Sequence, residues 1–112
     1  EYAITTYIVG NKNFRISVDQ MNDGVQRDLN TVEHIENVLG VHEYTGHGIR
    51  RFSEKKKTHY MAYELQFKHA SWKHCTLLFR REMLSRYYGI VNKENPDRYR
   101  QMRPFILKYW YK

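Results

Sequence analysis

From Tyr2 to Val9 the chain is dense in tyrosine, isoleucine, threonine and valine. From Phe14 to Asp19 it alternates, with Phe14, Ile16 and Val18 set against Arg15, Ser17 and Asp19. The first composition suits a pleated surface and the second leaves one face dry. Gly10-Asn11-Lys12-Asn13 between them is turn chemistry, so the N-terminus predicts a β-hairpin. After a loop around Asn22-Asp23-Gly24, residues Val32, Ile35, Val38 and Leu39 fall at helical spacing. Asn30 offers a cap, Glu33 the reciprocal acid three positions on, and Gly40 a left-handed stop.

Two further runs read as a second hairpin. Val41 to Arg51 is interrupted by Gly46 and Gly48. In Thr58 to Lys68, Met61, Tyr63, Leu65 and Phe67 alternate with Tyr60, Ala62, Glu64 and Gln66. Ser71 then predicts a helix to about Tyr88, closed by Gly89, with Trp72, Cys75, Phe79, Met83 and Tyr87 as its buried stripe. Asn95-Pro96 is a cap followed by proline at the first helical position, starting another helix that Pro104 interrupts. Phe105 to Lys112 is open to either a kinked continuation or a last strand. No repeat, low-complexity tract or linker divides residues 1–112, which predicts a single domain. The fold expected is α+β: a mostly antiparallel sheet of two β-hairpins with two to three helices packed on one face. The order strand pair, helix, strand pair, helix resembles one half of a LAGLIDADG homing endonuclease. The acidic helix that names that family is absent, and a likeness of order alone gives no residue a role.

Composition sharpens this. A chain of 112 residues can bury a core without staples. Its single cysteine, Cys75, excludes an internal disulfide and a four-thiolate zinc site. The expectation is a small core residue in a reducing, intracellular setting (cytoplasm or nucleus). No run approaches the ~18 apolar residues that a membrane span needs. A start at Glu1 rather than methionine suggests an excised domain or processed product. The net charge of +7 is unevenly laid out. Residues 1–49 hold three cations against seven acids, and residues 50–112 hold sixteen cations against five acids. Such asymmetry points to a charged binding face.

Two basic groups stand out. Arg50, Arg51, Lys55, Lys56 and Lys57 would crowd the tip of the second hairpin. Lys73, Arg80, Arg81, Arg86, Arg98, Arg100 and Arg103 follow on the helices, with Tyr109 and Trp110 beside them for stacking. Neutralising phosphates releases condensed counterions, and arginine adds bidentate contacts. The function expected is therefore nucleic-acid binding, DNA or RNA. The alternative is a protein-interaction or assembly domain that docks an acidic partner or a second copy of itself. No cofactor is expected.

Catalysis has weaker support. His42 and His47 lie five apart, as do His69 and His74, whereas ligands facing one another on an α-helix want three or four. No HExxH sequence occurs, so no metal ligands and no catalytic residues are assigned. His47 and His59 are chemically able to act as acid or base. A metal-dependent nuclease is the third possibility, with Glu64 as its acid; a salt-bridged structural glutamate is the plainer reading of that residue.

Overall fold

The computed structural model describes residues 2–8 and 13–110, the side chains of Tyr109 and Trp110 excepted. The N-terminal hairpin is present: β1 (Ala3–Tyr7) pairs antiparallel with β2 (Phe14–Val18), Ala3 opposite Val18 and Tyr7 opposite Phe14. The turn at Gly10-Asn11-Lys12 lies outside the described residues. Beyond the hairpin the architecture is helical, and the expected second hairpin is not there. The elements are α1 (Asp23–Asp28), α2 (Val32–Ile35), a π-helix (Glu36–Ile49), α3 (His59–Lys68), a 3-10 turn (Trp72–His74), α4 (Leu77–Glu94) and α5 (Pro96–Trp110). The α+β expectation gives way to a helix-dominated fold carrying one two-stranded sheet. The likeness to a LAGLIDADG half goes with it.

The error at Thr58 to Lys68 is one of period. Its alternation is genuine, but the fold buries His59, Ala62, Tyr63, Glu64 and Gln66, with 59/62 and 63/66 three apart and 59/63 and 62/66 four apart, the spacings of a helical face. A run that satisfies both templates is decided by what it packs against, and α3 packs chiefly on the π-helix. The first helix is also longer than expected. Thr31, not Asn30, caps it, its hydroxyl accepting from the His34 N–H at 3.1 Å. Gly40 does not stop it; the rod widens into the π-helix and continues to Ile49.

Thr76 rather than Ser71 caps α4, accepting from the Phe79 N–H at 3.2 Å. The helix runs through Gly89, since burial of Tyr87 and Val91 on either side outweighs the ~1 kcal/mol that a helical glycine costs. Asn95 and Pro96 open α5 as expected, with Asn95 Oδ1 accepting from the Arg98 N–H. Pro104 sits inside that helix, held there by Ile106, which is buried, and Phe105, which packs on the core. The stripe Trp72, Cys75, Phe79, Met83 and Tyr87 is buried throughout. Burial pushes the Cys75 thiol up to about 11, which keeps it an inert core residue. No helix among the described residues is long and apolar enough to cross a membrane.

Candidate metal centre

A π-helix closes its hydrogen bonds from i to i+5, so residues five apart share a face. Asn37, His42 and His47 are such residues, and all lie on the π-helix. His42 and His47 therefore meet, their Nε2 atoms 3.1 Å apart. His59, at the first position of α3, brings its own Nε2 to 3.1 Å from that of His42. The three ligand atoms all lie within 4.8 Å of one another. Zinc–nitrogen bonds of ~2.0–2.1 Å at a tetrahedral angle put two ligand nitrogens about 3.3 Å apart, so the spacing suits one small cation.

The hydrogen bonds behind the rings decide where the protons are. His47 Nδ1 lies 2.6 Å from the Phe52 carbonyl oxygen, which can only accept. The ring therefore carries its proton on Nδ1 and turns a bare Nε2 to the centre. Phe52 reaches that position because Arg51 turns the chain back through the left-handed region, φ 56°. That conformation costs a bulky residue ~1–2 kcal/mol, strain of the kind that functional sites hold. His42 Nδ1 lies 2.7 Å from Gln66 Oε1, which directs a second bare Nε2 inward. Two nitrogen lone pairs at 3.1 Å repel unless a cation or a proton lies between them. Between His42 and His47, which already carry their protons on Nδ1, an added proton is disfavoured, whereas a neutral His59 protonated on Nε2 can donate to His42. Burial holds His42 well below its ordinary value, reinforced by His47 and His59. Burial followed by His47 pushes His59 down to about 4. Both rings are neutral at pH 7, the form that binds metal.

Glu43 follows His42 directly and is buried. Thr5 on β1 donates its hydroxyl to Glu43 Oε1 at 3.0 Å. The other oxygen, Oε2, stands 3.6 Å from His42 Nε2. This carboxylate is tethered next to the nitrogens rather than inserted among them. A cavity of about 150 Å³, bordered by Ala3, Ile4, Thr5, Glu43, His47, Ser53, Glu54 and His59, gives access from the β1 side. Past His59 and Glu54 lies a cleft of about 1060 Å³ with Tyr63, Arg86, Lys57 and Lys93 on its walls.

Glycine makes the two helices meet. A Cβ on Gly46 would lie 2.8 Å from Ala62 Cβ and 3.2 Å from Ala62 Cα, well inside contact. Gly46→Val must therefore part the π-helix from α3 where His47 faces His59. The expected cost is ~1–3 kcal/mol of stability by denaturant titration, with zinc affinity reduced in the folded fraction. Unchanged affinity would mean that the close approach does not set the spacing.

The basic residues singled out from sequence are mostly elsewhere. Arg50, Arg51, Lys55, Lys56 and Lys57 are exposed on the segment between the π-helix and α3, with Arg51 over the Tyr7 ring. Lys73 and Arg103 are exposed and Arg80 and Arg81 half-buried on other surfaces. Arg86 is committed to Asp28 at 2.9 Å and Glu82 at 3.2 Å, and Arg100 to Asp97. Arg98 grips Glu64 through two 2.8 Å bonds. Burial alone would raise the Glu64 carboxyl, but Arg98 and the Tyr87 hydroxyl hold it down. Glu64 is thus the salt-bridged structural residue. Only Lys57 and Arg86 of the basic set border the cleft beside the histidines. The side chains of Tyr109 and Trp110 lie outside the described residues.

From the sequence Glu43 carries no role, His42 and His47 read as too far apart to share a metal, and His47 and His59 read only as groups able to act as acid or base. The one legible signal was His42-Glu43 with His47 a residue further on than an α-helix would place it. Set against known proteins, the chain matches no family model, no curated protein and no solved structure.

Proposed function

We propose that this protein is a metal-dependent hydrolase, with zinc held by His42, His47 and His59 and Glu43 as its base, acting on peptide bonds. The observation that carries the reading is the convergence of Nε2 atoms at 3.1 Å beside a tethered carboxylate. Three protein ligands leave a fourth position for water or substrate, the pattern of catalytic rather than structural zinc. A cation there supplies Lewis acidity, making a water acidic and polarising a carbonyl. Glu43 is placed to accept the proton of an attacking water and return it to the departing amine. Thr5 fixes which carboxylate oxygen faces the reaction.

A peptide fits because of β1. Asp19 donates to the Tyr2 carbonyl at 2.7 Å and Ile8 to that of Asn13 at 3.1 Å, so on the β1 side the even-numbered residues bond across the hairpin. In the register observed, the backbone groups of Ala3 and Thr5 point away from β2, and both residues border the cavity over the histidines. Ala3 is itself buried, so an extended chain would reach the edge at half-buried Thr5, beside the metal.

Nucleic-acid binding stands as a second proposal on one observation. Arg50, Arg51, Lys55, Lys56 and Lys57 are exposed, and no ion pair among the described residues engages them. One assay separates the two. We expect one zinc per chain by equilibrium dialysis and cleavage of casein that 1,10-phenanthroline stops and added zinc restores. Cleavage of DNA or RNA offered in parallel, with casein untouched, moves the substrate to nucleic acid. Zinc without any hydrolysis reduces the centre to a structural one, and no zinc removes it.

A further inference from the structure

We infer that the buried amides of Gln66 and Asn37 form a positioning relay, which locks His42 in the tautomer whose Nε2 faces the metal. The inference rests on the metal-site reading and deepens it. An amide side chain can present either end, so Gln66 beside His42 could by itself donate to Nδ1 or accept from it. Asn37 removes the ambiguity. Its Nδ2 lies 3.1 Å from the Gln66 backbone carbonyl oxygen, a group that can only accept. Asn37 must therefore turn its nitrogen there, and the same nitrogen donates to Ser71 Oγ at 3.0 Å. Its Oδ1 then faces the Gln66 side chain and requires a donor, Nε2, at 2.8 Å. Gln66 is left with only its oxygen for His42, so His42 Nδ1 is the donor across 2.7 Å. The chain of dependence ends on a backbone carbonyl, which cannot flip.

Burial makes the lock firm. Asn37 and Gln66 are both fully buried, so water does not compete for their groups. A reversed Gln66 would let His42 take the other tautomer but would set its own oxygen against Asn37 Oδ1, acceptor against acceptor. Leaving buried polar groups unpaired costs ~1–3 kcal/mol each. Both elements contribute by register: Asn37 and His42 are five apart on the π-helix, and His59 and Gln66 seven apart on α3. The relay thus ties the helix that carries two ligands to the helix that carries the third. Partners of this kind orient ligand rings, and losing one costs ~10–100-fold in metal affinity.

The test combines spectroscopy on the wild type with a double-mutant cycle. Nitrogen-15 NMR of the zinc-free protein should show the His42 proton on Nδ1; a proton on Nε2 overturns the relay even where no variant folds. Zinc affinity is then measured by competition with a chromophoric chelator. Gln66→Leu should bind ~10–100-fold more weakly. Asn37→Leu should weaken zinc by a smaller factor in the wild type and by none in the Gln66→Leu background, because Asn37 acts through Gln66. Additive losses of affinity, as two unrelated packing defects would give, contradict it. A wild type that binds no zinc overturns the metal-site reading, whereas a wild type and a Gln66→Leu variant that bind it equally overturn the relay alone.

Discussion

Glu43→Gln is expected to lower peptide hydrolysis by ~10³-fold while the protein still binds zinc, the span that a positioned general base contributes being ~10²–10⁴. The substitution keeps the shape of the side chain, and its amide oxygen can still accept the Thr5 hydroxyl that holds Oε1 at 3.0 Å. What disappears is the basic lone pair 3.6 Å from His42 Nε2. Turnover should fall with little change in KM, since the group is needed when the proton moves and not when substrate binds. Zinc affinity provides the second reading of the same variant. Its collapse along with activity would make Glu43 a ligand. A variant that turns over within a few-fold of the wild type would mean that Glu43 serves no proton transfer at all.

The centre escaped sequence reading for one physical reason. On an α-helix residues five apart diverge, so His42 and His47 do not read as ligands of one ion. The π-helix reverses that geometry, and nothing in local propensity announces it, because the wider turn is held by tertiary contacts. Asn37 bonds to Gln66 and Ser71, His42 to Gln66, and the rod is backed by α3. Where packing followed simple periodicity, as along Trp72, Cys75, Phe79, Met83 and Tyr87, the buried residues were legible. The β1–β2 hairpin was legible too, its alternation being unopposed by any helical pattern. Gly46 misled in a specific way. It read as a break in a strand and serves as the point where two helices touch, a role that depends on Ala62, sixteen residues away.

The charge asymmetry was visible but its meaning was not. Charge counts treat every arginine as available, yet Arg86, Arg98 and Arg100 are held by carboxylates, two of which, Asp28 and Glu64, are buried. An arginine gripping a buried carboxylate cannot leave without stranding it, at a cost of ~3–5 kcal/mol. These pairs belong to the scaffold that holds α4 and α5 in place. The acidic first half supplies one of those partners in Asp28, so the two halves neutralise each other in part across the fold rather than standing as separate faces.

Zinc should raise the melting temperature strongly near pH 7.5 and lose that effect as the pH falls through about 4, where His59 protonates in the fold. The sign follows from the histidines. His42 and His59 have folded values depressed below the ~6.5 of an unfolded histidine, His59 to about 4. The unfolded chain therefore takes up protons first as pH falls, and the zinc-free protein loses stability from about pH 6.5 downward. These two groups give a slope of up to ~2.7 kcal/mol per pH unit until His59 itself protonates in the fold, and His34, also lowered by burial, adds to it. Zinc requires neutral rings. In the fold His59 stays neutral down to about 4 and His42 is likewise depressed, so protons compete with the ion at these two only below the window in which the zinc-free protein loses stability. At a free concentration ~1,000 times Kd the bound ion adds ~4 kcal/mol, or roughly 15 °C for a chain of this size. His59→Ala should abolish the zinc increment at pH 7.5 and flatten the acid slope of the zinc-free protein, since one of its depressed histidines is gone. Thermal melts across this pH range, with zinc and with chelator, measure both effects. A zinc increment of equal size at pH 3 and 7.5 would show that the ion binds through groups other than these imidazoles.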